Sequence, residues 1–361
     1  MASIRWLVFC ALACLITVQA SHSSSFGLSK RSWEKGQPIT VPLALDASGR
    51  PVVHVNMHFG LAISTGTGYT MVAGSQCDSC SGVPTYNASK STTAQSLAGA
   101  RSVAMLNNTV DGPLYKEDCG MQTMSGGVWA YPNMTIVVAN ASMPVFSDGV
   151  SGVLGLGTNS RQGNFSDTIF GAYLGEDNGA TSFQYGMALD APDNSTNDGG
   201  VLHLLSPDGS AYTGNVSWKG VQQASSNADG TGLTSDWIID LDGWSFAGGS
   251  GSISNTQGGS CTVDPYYPNV YIPQNLANEI YGSISGASQI SDASAHAIAW
   301  TVPCDTKMSF TAVFGSESFT VDQSILVINQ GDRCIGGIEG WSDSSLTGYL
   351  FGARFLSEVY V

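Results

Sequence analysis

Phe146-Ser147-Asp148-Gly149-Val150-Ser151-Gly152-Val153-Leu154-Gly155-Leu156-Gly157 is the stretch on which the fold turns. Its apolar residues are punctuated by glycine, and Ser151–Leu156 reads as a short strand. A fainter counterpart, Tyr349-Leu350-Phe351-Gly352, stands near the end of the chain. Each half of the sequence carries an apolar strand, a turn and later one of these apolar-glycine segments. No short-period repeat accompanies that long-range echo.

Outward from this stretch the same texture continues. Strands are expected at Ile39–Leu45, Val52–Phe59, Leu61–Ile63, Tyr69–Ala73, Arg101–Leu106 and Met134–Ala139. Further on they are expected at Val201–Leu205, Asn215–Val221, Trp237–Trp244, Cys261–Pro273, Ala297–Pro303, Ser309–Phe314 and Ser324–Ile328. Ser75–Ala100 reads as a loop, and Pro273–Tyr281 is the best short helix. With 44 glycines and only 11% charged residues, the composition is that of an all-β protein with many turns. About 340 residues beyond the leader exceed what one hydrophobic core usually serves, so two lobes are expected. The polar, turn-rich Asp190–Gly200 places the border near residue 190, giving lobes 37–190 and 191–361.

Residues 1–20 read as a secretory signal: Arg5, then the apolar Trp6–Thr17, then the small-residue end Val18-Gln19-Ala20. Residues 21–36 form a Ser-rich leader, too short for a long basic propeptide. No other segment has the roughly 18 apolar residues of a spanning helix, so no membrane anchor is expected. The chain carries 13 Lys+Arg against 28 Asp+Glu, a formal charge of −15, and losing Arg5 with the signal makes it −16. Phosphate binding needs a basic patch that is absent here, which excludes nucleic acid as a partner. A secreted, extracellular monomer follows. Seven N-x-Ser/Thr sequons agree with export: Asn87, Asn107, Asn133, Asn140, Asn164, Asn194 and Asn215.

Six cysteines follow the signal: Cys77, Cys80, Cys119, Cys261, Cys304 and Cys334. In an exported β protein Cys77 and Cys80 read as a disulfide rather than a redox pair. Their full connectivity is not deducible from spacing.

Several other pieces stand in a telling order. Leu61-Ala62-Ile63-Ser64-Thr65-Gly66-Thr67-Gly68 is an apolar strand entering a Ser-Thr-Gly turn. Trp237-Ile238-Ile239-Asp240-Leu241-Asp242-Gly243 is followed by Thr262-Val263-Asp264 and then Tyr271-Ile272-Pro273. Together with the opening stretch and Gly348–Val361, this series resembles the pepsin-like aspartic peptidases, in particular their secreted fungal type, over nearly all the chain after residue 50. The resemblance implies a bilobal acid-protease fold with an interlobe cleft and one Asp-Thr-Gly loop per lobe. It also implies a Cys304–Cys334 disulfide, and a last strand before which this sequence stops at Val361.

That family activates one water between two carboxylates that share a proton. Here Ser64 stands at the first carboxylate's position, and a serine hydroxyl has no ionised state near working pH. Asp264 is retained at the second, but Pro265 and Tyr266 replace the family's Thr and Gly. Proline lacks both the cross-lobe hydroxyl and an N–H. Tyrosine carries a steric cost if its φ is positive, and its ring is large enough to fill the cleft. The flap departs too: Met105-Leu106-Asn107-Asn108-Thr109 lacks the family's Tyr-Gly, and Asn107 is a sequon. Ser64, Asp264, Thr65, Gly66, Pro265, Tyr266 and Asn107 are the candidate dyad and cleft-lining residues.

The expected function is therefore a catalytically silent homologue that binds a peptide, a glycan or a foreign hydrolase. Plant relatives of the fold that inhibit secreted hydrolases set the precedent. The alternative is an active aspartic endopeptidase at acid pH. Asp264 stands open to a structural or a residual acid-base role. No base pairs with Ser64 in a Ser-His-Asp pattern. His54 and His58 lie on a strand and do not share a metal. Asp240, Asp242 and Gly243 only faintly resemble a calcium loop, with no Glu at the needed spacing. No metal or cofactor is expected.

Overall fold

The computed structural model describes residues 38–361, except 81, 106–107, 142–143, 162, 177–179, 193–196, 215, 223–234 and 291–296. The signal, the leader and the sequons Asn107, Asn194 and Asn215 lie outside the described residues.

Backbone hydrogen bonding gathers residues 39–204 into one ten-stranded sheet. At its centre, strand Phe59–Ser64 runs antiparallel to Pro51–Val55 and parallel to Gly152–Gly155, with Leu61 opposite Gly152 and Ser64 opposite Gly155. Strand Gly152–Gly155 is also antiparallel to Thr70–Ala73. The glycines of the opening motif are explained by that squeeze. A Cβ on Gly152 would stand 2.0 Å from the Met71 carbonyl oxygen, and one on Gly155 would stand 2.5 Å from that of Tyr69. Leu154 and Leu156 between and beyond them are fully buried. The long hairpin Gln95–Met105/Asn108–Gln122 and strand Val128–Ala139 extend the sheet on one side. On the other side, Ile39–Leu45 pairs with Asp198–Leu204 and that with Tyr185–Ala188. Val361 exchanges two backbone hydrogen bonds with Met187.

The second half repeats the central arrangement. Strand Gly259–Val263 runs parallel to Tyr349–Phe351, which is antiparallel to Val270–Ile272. This is the relation that Phe59–Ser64, Gly152–Gly155 and Thr70–Ala73 have in the first half, so the long-range echo in the sequence is a structural one. Two four-stranded sheets complete this half. Helices are short, and Gln274–Gly282 is the longest among the described residues. The largest apolar cluster runs from Ile39 to Leu356 and so joins both halves.

Several expected elements are corrected. Val52–Phe59 is interrupted because Asn56 and Met57 both have left-handed φ (49° and 59°) and turn the chain back on itself. Cys261–Pro273 is two strands separated by the loop that carries Asp264. Residues 216–220 form no strand; Trp218 is 77% exposed, and a single bridge from Val221 to Ile239 touches the sheet. Within Ser324–Ile328 the first part is helical: Gln323–Leu326 is capped by Asp322, whose carboxylate accepts from the Ser324 N–H at 2.8 Å. The end of the expected Ser75–Ala100 loop is strand from Gln95. Cys77–Cys80 and Cys304–Cys334 are disulfides, and Cys119 and Cys261 are buried free thiols.

Candidate active-site region

The two central strands end at one point. Ser64 closes Phe59–Ser64, and Asp264 follows Gly259–Val263. The Ser64 hydroxyl donates to Asp264 Oδ2 at 2.9 Å across 200 positions of sequence. Both residues are buried. Six of the seven sequence candidates therefore converge, and Asn107 falls outside the described residues.

The Asp264 carboxylate is fully used. Oδ1 accepts from the Thr65 N–H and the Tyr266 N–H, each at 3.0 Å, while Oδ2 accepts from the Ser64 hydroxyl and the Gly66 N–H (3.1 Å). A carboxylate offers about four lone-pair sites, so none is left for a substrate water. Gly66 must be glycine here, because a Cβ would sit 2.9 Å from Asp264 Oδ2. The four donors favour the anion, but burial dominates and pushes the carboxyl up to about 6.

Thr65 still reaches across: its hydroxyl donates to the Val263 carbonyl. Pro265, with no hydroxyl, returns no such contact. Tyr266 carries no such strain, since its φ is not among the positive ones. Its side chain is 8% exposed and lies beneath the Arg50 guanidinium, 5.1 Å from ring centroid to Cζ. Arg50 is held in turn by Asp46 (2.7 Å) and Asp148.

A second buried carboxylate braces the region. Asp236 accepts from the Asn159 N–H (2.6 Å), the Ser160 hydroxyl (3.0 Å) and the Arg161 N–H (3.2 Å). Asn159 then accepts from the Gly68 N–H at 2.8 Å, which ties Asp236 to the Ser64 loop. Burial raises the Asp236 carboxyl against these donors. Sequence reasoning missed Arg50 and Asp236. Asp148 lay inside the opening motif, but its partner was 98 residues away, and nothing local marks such a pair. Among the described residues no group of three or more His, Cys, Asp or Glu side chains is placed to hold a metal ion.

Two strand–loop units facing each other across a Ser–Asp pair, each supported by a parallel apolar-glycine strand, define an aspartic-peptidase scaffold. A profile of the eukaryotic aspartyl proteases matches residues 54–361, and the chain belongs to that family with its bilobal, all-β pepsin-like fold. Its relatives include the "Major aspartyl peptidase 1" of Cryptococcus neoformans var. grubii, 26% identical over 92% of this chain and 70% of that protein. Penicillopepsin-2 of Penicillium janthinellum is 27% identical over 95% of this chain and 83% of that protein.

Proposed function

We propose that this chain is a secreted, glycosylated pepsin-like protein that no longer hydrolyses peptides and works by binding through its interlobe cleft or outer surface. Its lobes are residues 37–190 and 191–361, its signal residues 1–20. Exposed Asn133, Asn140 and Asn164 and half-buried Asn87 are the described glycan acceptors. The observation that carries the reading is the saturated, solitary Asp264 carboxylate. Peptide hydrolysis in this family needs one carboxylate to take a proton from water and a second, protonated one to polarise the carbonyl. Ser64 spends its hydroxyl proton on Asp264 Oδ2 and has no proton equilibrium to share. A peptide, a glycan or a foreign hydrolase is the class of partner. The rival reading, an acid endopeptidase, draws on the relatives' names and on an Asp264 that titrates near 6.

Cleavage of a denatured protein between pH 3 and 6 decides between them. The natural chain is compared with Ser64→Asp alone and with Ser64→Asp, Pro265→Thr, Tyr266→Gly combined. A silent natural chain beside a cleaving variant supports the proposal. Cleavage by the natural chain that a peptide-like aspartic-peptidase inhibitor stops, and that Asp264→Asn abolishes, overturns it.

A further inference from the structure

Tyr266 is out of place in the apolar core. It belongs to a cluster that includes Val52, Ala62, Phe146, Val150 and Val153, and among the described residues every other buried member lies between Val52 and Val153. Tyr266 is the buried member that enters from the second half, with the partly buried Tyr267 packed against the same cluster. Ala62 is two positions before Ser64 on the same strand, so the cluster that holds the ring includes the strand ending at the Ser64–Asp264 pair. Three features surround it as they would a bound aromatic ligand. The apolar cluster takes its body. Tyr267 meets it edge to face, with centroids 5.3 Å apart and an interplanar angle of 77°. Arg50 covers a face at 5.1 Å, within cation–π range, anchored by Asp46 and Asp148.

We infer that Tyr266 is a built-in occupant: its ring fills a pocket of the first half that accepts one neutral aromatic side chain, and keeps that pocket closed to a peptide or small aromatic ligand. Burial raises the phenol to about 12, so the occupant is uncharged under any working condition. The backbone gives the same group its reach. The Tyr266 N–H is tied to Asp264 Oδ1 at 3.0 Å, so the ring leaves the loop from a fixed point. The replacement that removes the family's glycine thereby also closes the space beside the dyad position. This inference does not depend on whether Asp264 retains hydrolytic competence, because its readout is binding.

The test uses the full chain and p-cresol, the tyrosine side chain as a free molecule. Tyr266→Ala leaves a cavity the size of a phenol, and buried cavities of this kind bind matching ligands. At ten times its dissociation constant, p-cresol is expected to raise the Tm of Tyr266→Ala by about 2 °C. It is expected to leave the natural chain and Tyr266→Phe unmoved. The saturated analogue 4-methylcyclohexanol is expected to do less, and adding Arg50→Met to Tyr266→Ala is expected to shrink the p-cresol effect. A folded Tyr266→Ala that ignores p-cresol, or a natural chain that responds equally, overturns the inference. Should Tyr266→Ala fail to fold, nitration of the natural chain decides. Tyr266 is expected to stay unmodified while half-buried Tyr212 reacts; reaction of Tyr266 at the same rate overturns it.

Discussion

Replacing Asp264 with asparagine isolates the contest between burial and hydrogen bonding at this carboxyl. In the folded chain Asp264 titrates near 6, and in the unfolded chain near 3.9. Between those values the folded state holds more proton than the unfolded one. The stability contributed by this group is therefore fully present below about pH 4 and is lost as pH rises through about 6. The gap of about two pH units corresponds to about 3 kcal/mol, or about 4 °C in Tm for a chain of this size. Asparagine does not titrate. Its amide oxygen keeps the Thr65 and Tyr266 N–H donors, but its NH2 group meets the Gly66 N–H, a cost independent of pH. The readout is the difference in Tm between natural chain and Asp264→Asn, by calorimetry from pH 3.5 to 7. All other carboxylates cancel in that difference. The natural chain is expected to lose about 4 °C relative to the variant as pH rises. Parallel curves would refute the raised pKa. A natural chain that gains on the variant would mean that the four donors outweigh burial.

The remaining predictions concern the frame around the pair. Asp236→Ala strands the buried Asn159 N–H and takes the acceptor from the Ser160 hydroxyl and the Arg161 N–H; it is expected to cost about 2 kcal/mol, seen as a lower urea midpoint with unchanged far-ultraviolet dichroism. Cys304→Ser opens a link spanning 30 residues and is expected to cost about 3 kcal/mol, whereas Cys119→Ser in an already reduced site is expected to preserve both disulfides on mass mapping. Expression in a eukaryotic secretory host is expected to give a product whose mass falls on treatment with an N-glycosidase, with loss localised to sequon-bearing peptides, those of Asn87, Asn133, Asn140 and Asn164 among them; an unchanged mass would count against the glycoprotein reading.

Much of this protein was legible in one dimension. Ordered local signals carried the fold: the apolar-glycine stretch at Phe146–Gly157, the strand entering Ser64-Thr65-Gly66, and the second loop at Asp264. Ser64 stands where the resemblance implies a dyad carboxylate, and that reading rests on residue type and motif order, without coordinates. Strand limits were less legible. The turn at Asn56-Met57 depends on backbone conformations that those residue types adopt without advertising it, and the helix Gln323–Leu326 depends on an Asp322 cap inside a β-rich segment.

What sequence alone determined is the family, the two-part β architecture and the identity of the groups that meet as the Ser64–Asp264 pair, because these follow from motif order and residue chemistry. Tertiary structure alone decided what those groups do with their hydrogen-bonding capacity. Asp264 is saturated by donors from residues 64, 65, 66 and 266, and Tyr266 is lodged under Arg50 in the other half's core. Both outcomes depend on contacts across some 200 positions, and a side chain's distant partner is set by how the sheets pack and leaves no periodicity in the local sequence.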